Sequence, residues 1–86
     1  MLTPYEISFR HEIMNEFAAH ITGFIGRNYD YLKKPVPPEI QKLEHEAFMM
    51  ERCFTLNDNE EKLDRCLNRL IEIRDYVWAN TPEPHR

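Results

Sequence analysis

Two glycines, two valines, one serine and two cysteines are all that this 86-residue chain holds of four residue types on which many folds and sites depend. So few glycines exclude a chain rich in tight turns, and they exclude a glycine-rich phosphate loop. So few valines argue against a sheet, whose half-buried strands favour β-branched residues. Ser8 is the only serine. It falls early in the first helical stretch with no glycine elbow beside it, so the usual serine nucleophile has no setting here. Cys53 and Cys66 form a single C-x12-C pair with no second pair to complete a zinc site. Both are expected as reduced, buried, small apolar residues. No run is long and apolar enough to cross a bilayer. The start, MLTPYEISFR, has no basic segment followed by an apolar one, so a secretory signal is not expected and the chain reads as cytoplasmic. An excess of positive charge is missing too. Eleven basic residues face fifteen acidic ones, for a net charge of −4. Residues 1–38 carry four acids and four bases, and residues 39–86 carry eleven acids and seven bases. A sequence-independent nucleic-acid binder needs a basic face to displace counterions, and this balance speaks against one. The acidity is also too slight for mimicry of DNA.

What the chain does hold is helix-forming sequence. TPYE places Thr3 as N-cap, Pro4 at the first helical position and Glu6 three residues after the cap, a capping box. Ile7, Met14, Phe17, Ile21 and Phe24 then recur at helical spacing, with Ile13, Ala18 and Ile25 widening the stripe. The end of this helix has two readings. Gly26 can close it in the left-handed conformation, or it can run on to Tyr31 or Leu32; Pro35 bars Lys34. The second helix opens at Pro37 or Pro38, with Glu39 near its positive end, and keeps a narrow seam of Ile40, Leu43, Ala47, Met50 and Phe54. TLNDNEE is a turn in which Asn57 or Asp58 would cap the third helix. That helix shows Leu63, Leu67, Leu70, Ile73 or Arg74, and Val77, with a second row through Ile71 and Trp78. These patterns predict a single all-α domain over 1–86: an antiparallel three-helix bundle with helices at about 4–27, 38–55 and 58–80 and shallow crossings of about 20°. A proline-rich connection spans 33–38 and an extended tail spans 81–86. Because a chain this short buries little surface, homodimerisation through helix 1 or the Trp78 face would complete the bundle.

Motifs for chemistry fall short. HEIMN (residues 11–15) matches the start of the His-Glu-x-x-His zinc motif, but Asn15 stands where the second histidine belongs, so His11 and Glu12 read as a solvent-facing pair. Glu16 and His20 are one turn apart, and Glu44, His45 and Glu46 are adjacent. Neither set has the Glu-x-x-His spacing of helical carboxylate metal sites. No catalytic residue, cofactor or metal is therefore expected. A metal-dependent enzyme using His11, Glu16 and His20, with His45 in reserve, is an alternative.

The positive signal is surplus apolar surface. Tyr5, Phe9, Tyr29, Tyr31, Phe48, Met49, Tyr76 and Trp78 lie outside the seams, and such side chains anchor protein interfaces. Glu44, Glu51, Glu61, Asp64, Glu72 and Asp75 would add an acidic face on helices 2 and 3, although Arg52, Arg65, Arg69 and Arg74 interleave with them. The expected function is a non-catalytic protein-binding module (adaptor, regulator or inhibitor), and the expected partner is another protein or a second copy. Tyr29, Tyr31, Lys33, Lys34, Phe48, Met49, Tyr76 and Trp78 are the candidate contact residues. Its size and plainness suit an accessory protein of a bacterium or phage, which is an impression and not a reading of residues. A nucleic-acid-associated regulator would instead use Arg27, Lys33 and Lys34, with Tyr29 and Tyr31 as stacking platforms. In the connection, YDYLKKPVPP, the prolines and lysines each have a structural reason: stiffness, and charge at a helix C-terminus.

Overall fold

Thr3 opens the first helix as its sequence requires. Its Oγ1 accepts from the Glu6 N–H at 3.1 Å, and its own N–H donates to Glu6 Oε1 at 2.9 Å. The result, in a computed structural model that describes residues 1–82, is α1 over Pro4–Ile25. The helix does not stop at Gly26. That residue is right-handed, at φ −59 and ψ −45. The chain continues as a π-helical turn over Gly26–Asp30, closed by the Tyr31 N–H donating to the Gly26 carbonyl at 2.7 Å. The left-handed residue is Lys33, at φ 57. The Lys34 N–H donates to Tyr29 O at 2.8 Å and the Lys33 N–H to Asp30 O at 3.0 Å, the paired bonds of a Schellman cap built on a lysine in place of glycine. Pro35 then holds Lys34 out of the helical region.

α2 runs over Pro38–Arg52, with Pro37 as cap and Pro38 at the first position. It ends three residues before the expected 55, so Phe54 and Thr55 belong to the turn. Cys53, expected inside, is exposed just past the helix end, whereas Cys66 is half-buried. α3 covers Glu60–Ala79 and is capped by Asn59, whose side chain accepts from the Lys62 N–H at 2.8 Å. Neither Asn57 nor Asp58 caps it, because the Asp58 side chain is turned inward. The extended tail expected over 81–86 lies, from residue 83 on, outside the described residues.

Two cross-helix contacts set the directions. Near the starts of α1 and α3, Arg10 reaches Asp64 at 3.3 Å and Glu60 at 3.7 Å. Near their ends, the Phe24 and Trp78 rings stack with centroids 4.8 Å apart. α1 and α3 are therefore parallel, α2 runs against both, and each helix packs on the other two. The three-helix bundle is all-α, with no strand among the described residues, and measures 44 × 19 × 18 Å.

The predicted seams meet at its axis. Ile7, Met14, Ala18, Ile21 and Ile25 of α1 pack on Ile40 and Ala47 of α2 and on Leu63, Leu70, Ile73 and Val77 of α3. Each large member stabilises the fold by about 1.5–3 kcal/mol through loss of apolar surface to water. Leu43, Met50, Phe54, Phe17, Phe24 and Leu67 are half-buried at the margins. No helix of the described residues is long and apolar enough to cross a membrane.

Candidate functional site

Packing two parallel helices on one antiparallel helix leaves three grooves. The α1–α3 groove differs from the others in what lines it. On α1 and the π-helical turn that continues it, Phe17, His20, Phe24 and Arg27 recur every three or four residues and so share an edge. On α3, Arg74 and Trp78 face them one turn apart. With Ile21 and Val77 as floor, these side chains line a cavity of about 330 Å³. The Phe24–Trp78 stack forms one wall. On the other, the Arg74 guanidinium lies 5.3 Å from the Phe17 ring centroid, a cation–π contact. The Arg27 side chain folds back along α1: a Cβ built on Gly23 would sit 3.2 Å from its Nη1. Among the described residues, the lining includes no carboxylate, hydroxyl or thiol, although the chain as a whole is acidic. Such a groove offers ring faces, an imidazole and positive charge.

Towards the helix starts the same face continues through Ile13, Leu67 and Asp64 with Arg10. Trp78 is 47% exposed despite its stack, and Phe9 and Ile13 are exposed as well.

The candidate contact residues do not form one surface. Trp78 alone lies in the α1–α3 groove. Tyr29 is a correction, since it is 4% exposed and belongs to the core. Its hydroxyl donates to Thr81 Oγ1 at 3.3 Å, and Thr81 donates in turn to Val77 O at 2.6 Å. Tyr31 is 83% exposed beside Lys33 and Lys34, so the stacking pair that a nucleic-acid reading needs is reduced to one ring. Phe48 and Met49 are exposed on α2, with the Arg52 guanidinium 5.6 Å from the Phe48 ring centroid. Tyr76 lies on the α2–α3 side with Glu46 and Arg69, where Arg69 Nη2 donates to Glu46 Oε1 at 2.8 Å and holds that carboxyl below its usual range.

The acidic residues are also dispersed. Asp64 is on the α1–α3 side. Glu44 lies between α1 and α2, where burial, with Asp30 nearby, raises its carboxyl above the usual range. His11, Glu16 and His20 do not converge. His11 and His20 are nine residues apart on one helix, about 13 Å along its axis. His20 is in the groove, whereas His11 is drawn to the opposite edge of α1. There its Nε2 hydrogen-bonds to Asp58 Oδ2 at 2.8 Å, and its ring stacks on Phe54 with centroids 4.5 Å apart, so it is not solvent-facing. His45 sits with Glu44 and Phe48 on the α1–α2 side. Among the described residues, no three His, Cys, Asp or Glu side chains gather as metal ligands.

Sequence reasoning placed Phe17 and Phe24 in the helix 1 seam and overlooked Arg27 and Arg74 as their neighbours. The recurrence of Phe17, His20, Phe24 and Arg27 along one edge was available. Its facing row on α3 was not, because the pairing of the edges depends on helix direction. Comparison with known proteins finds no family model, no curated protein and no solved structure that matches this chain.

Proposed function

We propose that this protein is a small, non-catalytic, cytoplasmic protein-binding module whose docking surface is the α1–α3 face. The single observation that carries this is the open groove of stacked aromatics edged by His20, Arg27 and Arg74. Aromatic side chains and arginines are the groups that contribute most to protein interfaces. A docked protein, whether another chain or a second copy, would cover the Trp78 ring and bring carboxylates to the guanidiniums.

The test is a pull-down from host lysate with the full chain, beside Trp78→Ala and Arg74→Glu. One stoichiometric protein retained by the parent and lost by both variants, with helicity unchanged by circular dichroism, is the expected result. Retention by both variants would move the docking surface elsewhere.

A further inference from the structure

We infer that the α1–α3 face takes a second copy of this chain, laid antiparallel across a two-fold axis. This rests on reading that face as a protein-docking surface.

Charge along the face is polar. At the end where α1 and α3 begin, the flanking side chains are Glu6, Glu60 and Asp64 against Arg10, which already bridges to Glu60 and Asp64. At the other end they are His20, Arg27 and Arg74 against Asp75, which is held by Arg74 at 3.0 Å. A two-fold axis along the bundle would set each end on its like and cost electrostatic energy. An axis across the bundle sets Arg27 and Arg74 of one copy over Glu60 and Asp64 of the other. The apolar side chains follow the same logic. Phe9 and Ile13 protrude near one end, the Phe17–Phe24–Trp78 groove is open near the other, and the antiparallel arrangement brings knob to groove twice. Because the interface is isologous, it closes at two copies and leaves no sticky end.

The face is large enough for a specific interface. The 22 residues of α1 make it about 33 Å long. With a bundle width of 19 Å, its flat projection is roughly 600 Å² per copy, or about 1,200 Å² in all, the lower edge of specific interfaces. Area alone does not fix affinity, so the association has to be measured over a wide range of concentration.

Sedimentation equilibrium of the full chain from about 5 to about 500 µM spans that range. The expected result is a mass rising from one chain to two. Trp78→Ala should weaken the association by about tenfold or more. Arg27→Glu should weaken it too, and Arg27→Glu combined with Glu60→Lys, which exchanges one charge at each end, should restore it. Arg27 is exposed, so its variants keep the fold even where Trp78→Ala does not.

A single-chain mass throughout overturns the proposal. So does a dimer indifferent to both Trp78→Ala and Arg27→Glu, or a charge pair that fails to rescue. If the chain stays monomeric while Trp78→Ala still abolishes capture of another protein, the second copy falls and the docking face stands. If the chain stays monomeric and the capture experiment shows no dependence on Trp78 or Arg74, both readings fall.

Discussion

His11 on α1 and Asp58 in the α2–α3 turn, 47 residues apart in sequence, meet at 2.8 Å through Nε2 and Oδ2. Asp58 is the centre of a cluster that ties three segments together. Its side chain is 2% exposed, and it accepts from Lys62 Nζ at 2.6 Å and from the Thr55 N–H and hydroxyl at 3.1 and 3.2 Å. Burial pushes its carboxyl up, but the bonds from Lys62, Thr55 and His11 together outweigh burial and bring it down to about 2.

A carboxyl depressed in the folded state contributes stability that is fully present above its unfolded value near 4 and is lost as pH falls through about 2. The size of the contribution is on the order of 2 kcal/mol. Urea unfolding followed from pH 7 down to pH 2 should show that loss, and Asp58→Asn should remove both the stability and the part of the acid dependence that Asp58 carries. An unchanged acid dependence in Asp58→Asn would deny Asp58 this role.

The end of α1 carries two replaceable backbone choices. Gly26 is right-handed with nothing within 4 Å of an added Cβ, so Gly26→Ala should stabilise by about 0.5–1 kcal/mol. Lys33 holds the left-handed position that glycine fills without cost, so Lys33→Gly should gain about 1 kcal/mol. For a domain of this size, Lys33→Gly would raise Tm by roughly 4–8 °C and Gly26→Ala by roughly 2–8 °C, read by calorimetry. A fall in Tm for Lys33→Gly would mean that the lysine side chain, not the cap geometry, matters there.

Tyr29→Phe should cost about 0.5–1.5 kcal/mol through its bond to Thr81, whereas Tyr29→Ala should cost about 3–5 kcal/mol through the cavity left behind. Denaturant titrations of the two variants separate these terms. Equal, small effects would return Tyr29 to the surface.

Trp78 and Ile73 sit on the same helix but in different settings. Ile73 is fully buried, and Ile73→Ala should lose about 2–5 kcal/mol. Trp78→Ala, at a half-exposed position, should lose no more than about 1–2 kcal/mol in the isolated monomer. Thermal melts in the dilute regime compare them directly. A loss for Trp78→Ala as large as that for Ile73→Ala would make the ring a core residue.

The sequence by itself determined the helices and most of what they bury. Thr3, Pro4 and Glu6 fix the start of α1 through bonds made within four residues. The seam through Ile40 and Ala47 predicts the buried edge of α2, because helical spacing alone decides which side chains share a face, whereas Phe54 falls in the turn beyond the helix end. Local rules were weaker at boundaries where the chain makes non-local contacts. Asp58 has the residue type and spacing of a cap, yet it serves His11 and leaves the cap to Asn59. Gly26 has the residue type of a terminator, yet the helix runs past it and Tyr29 enters the core. The groove was the part least legible. Phe17, Arg74 and Trp78 become one surface only once α1 and α3 lie side by side and parallel. That juxtaposition is a property of the packed bundle, because no periodicity within one helix encodes which edge of another will face it.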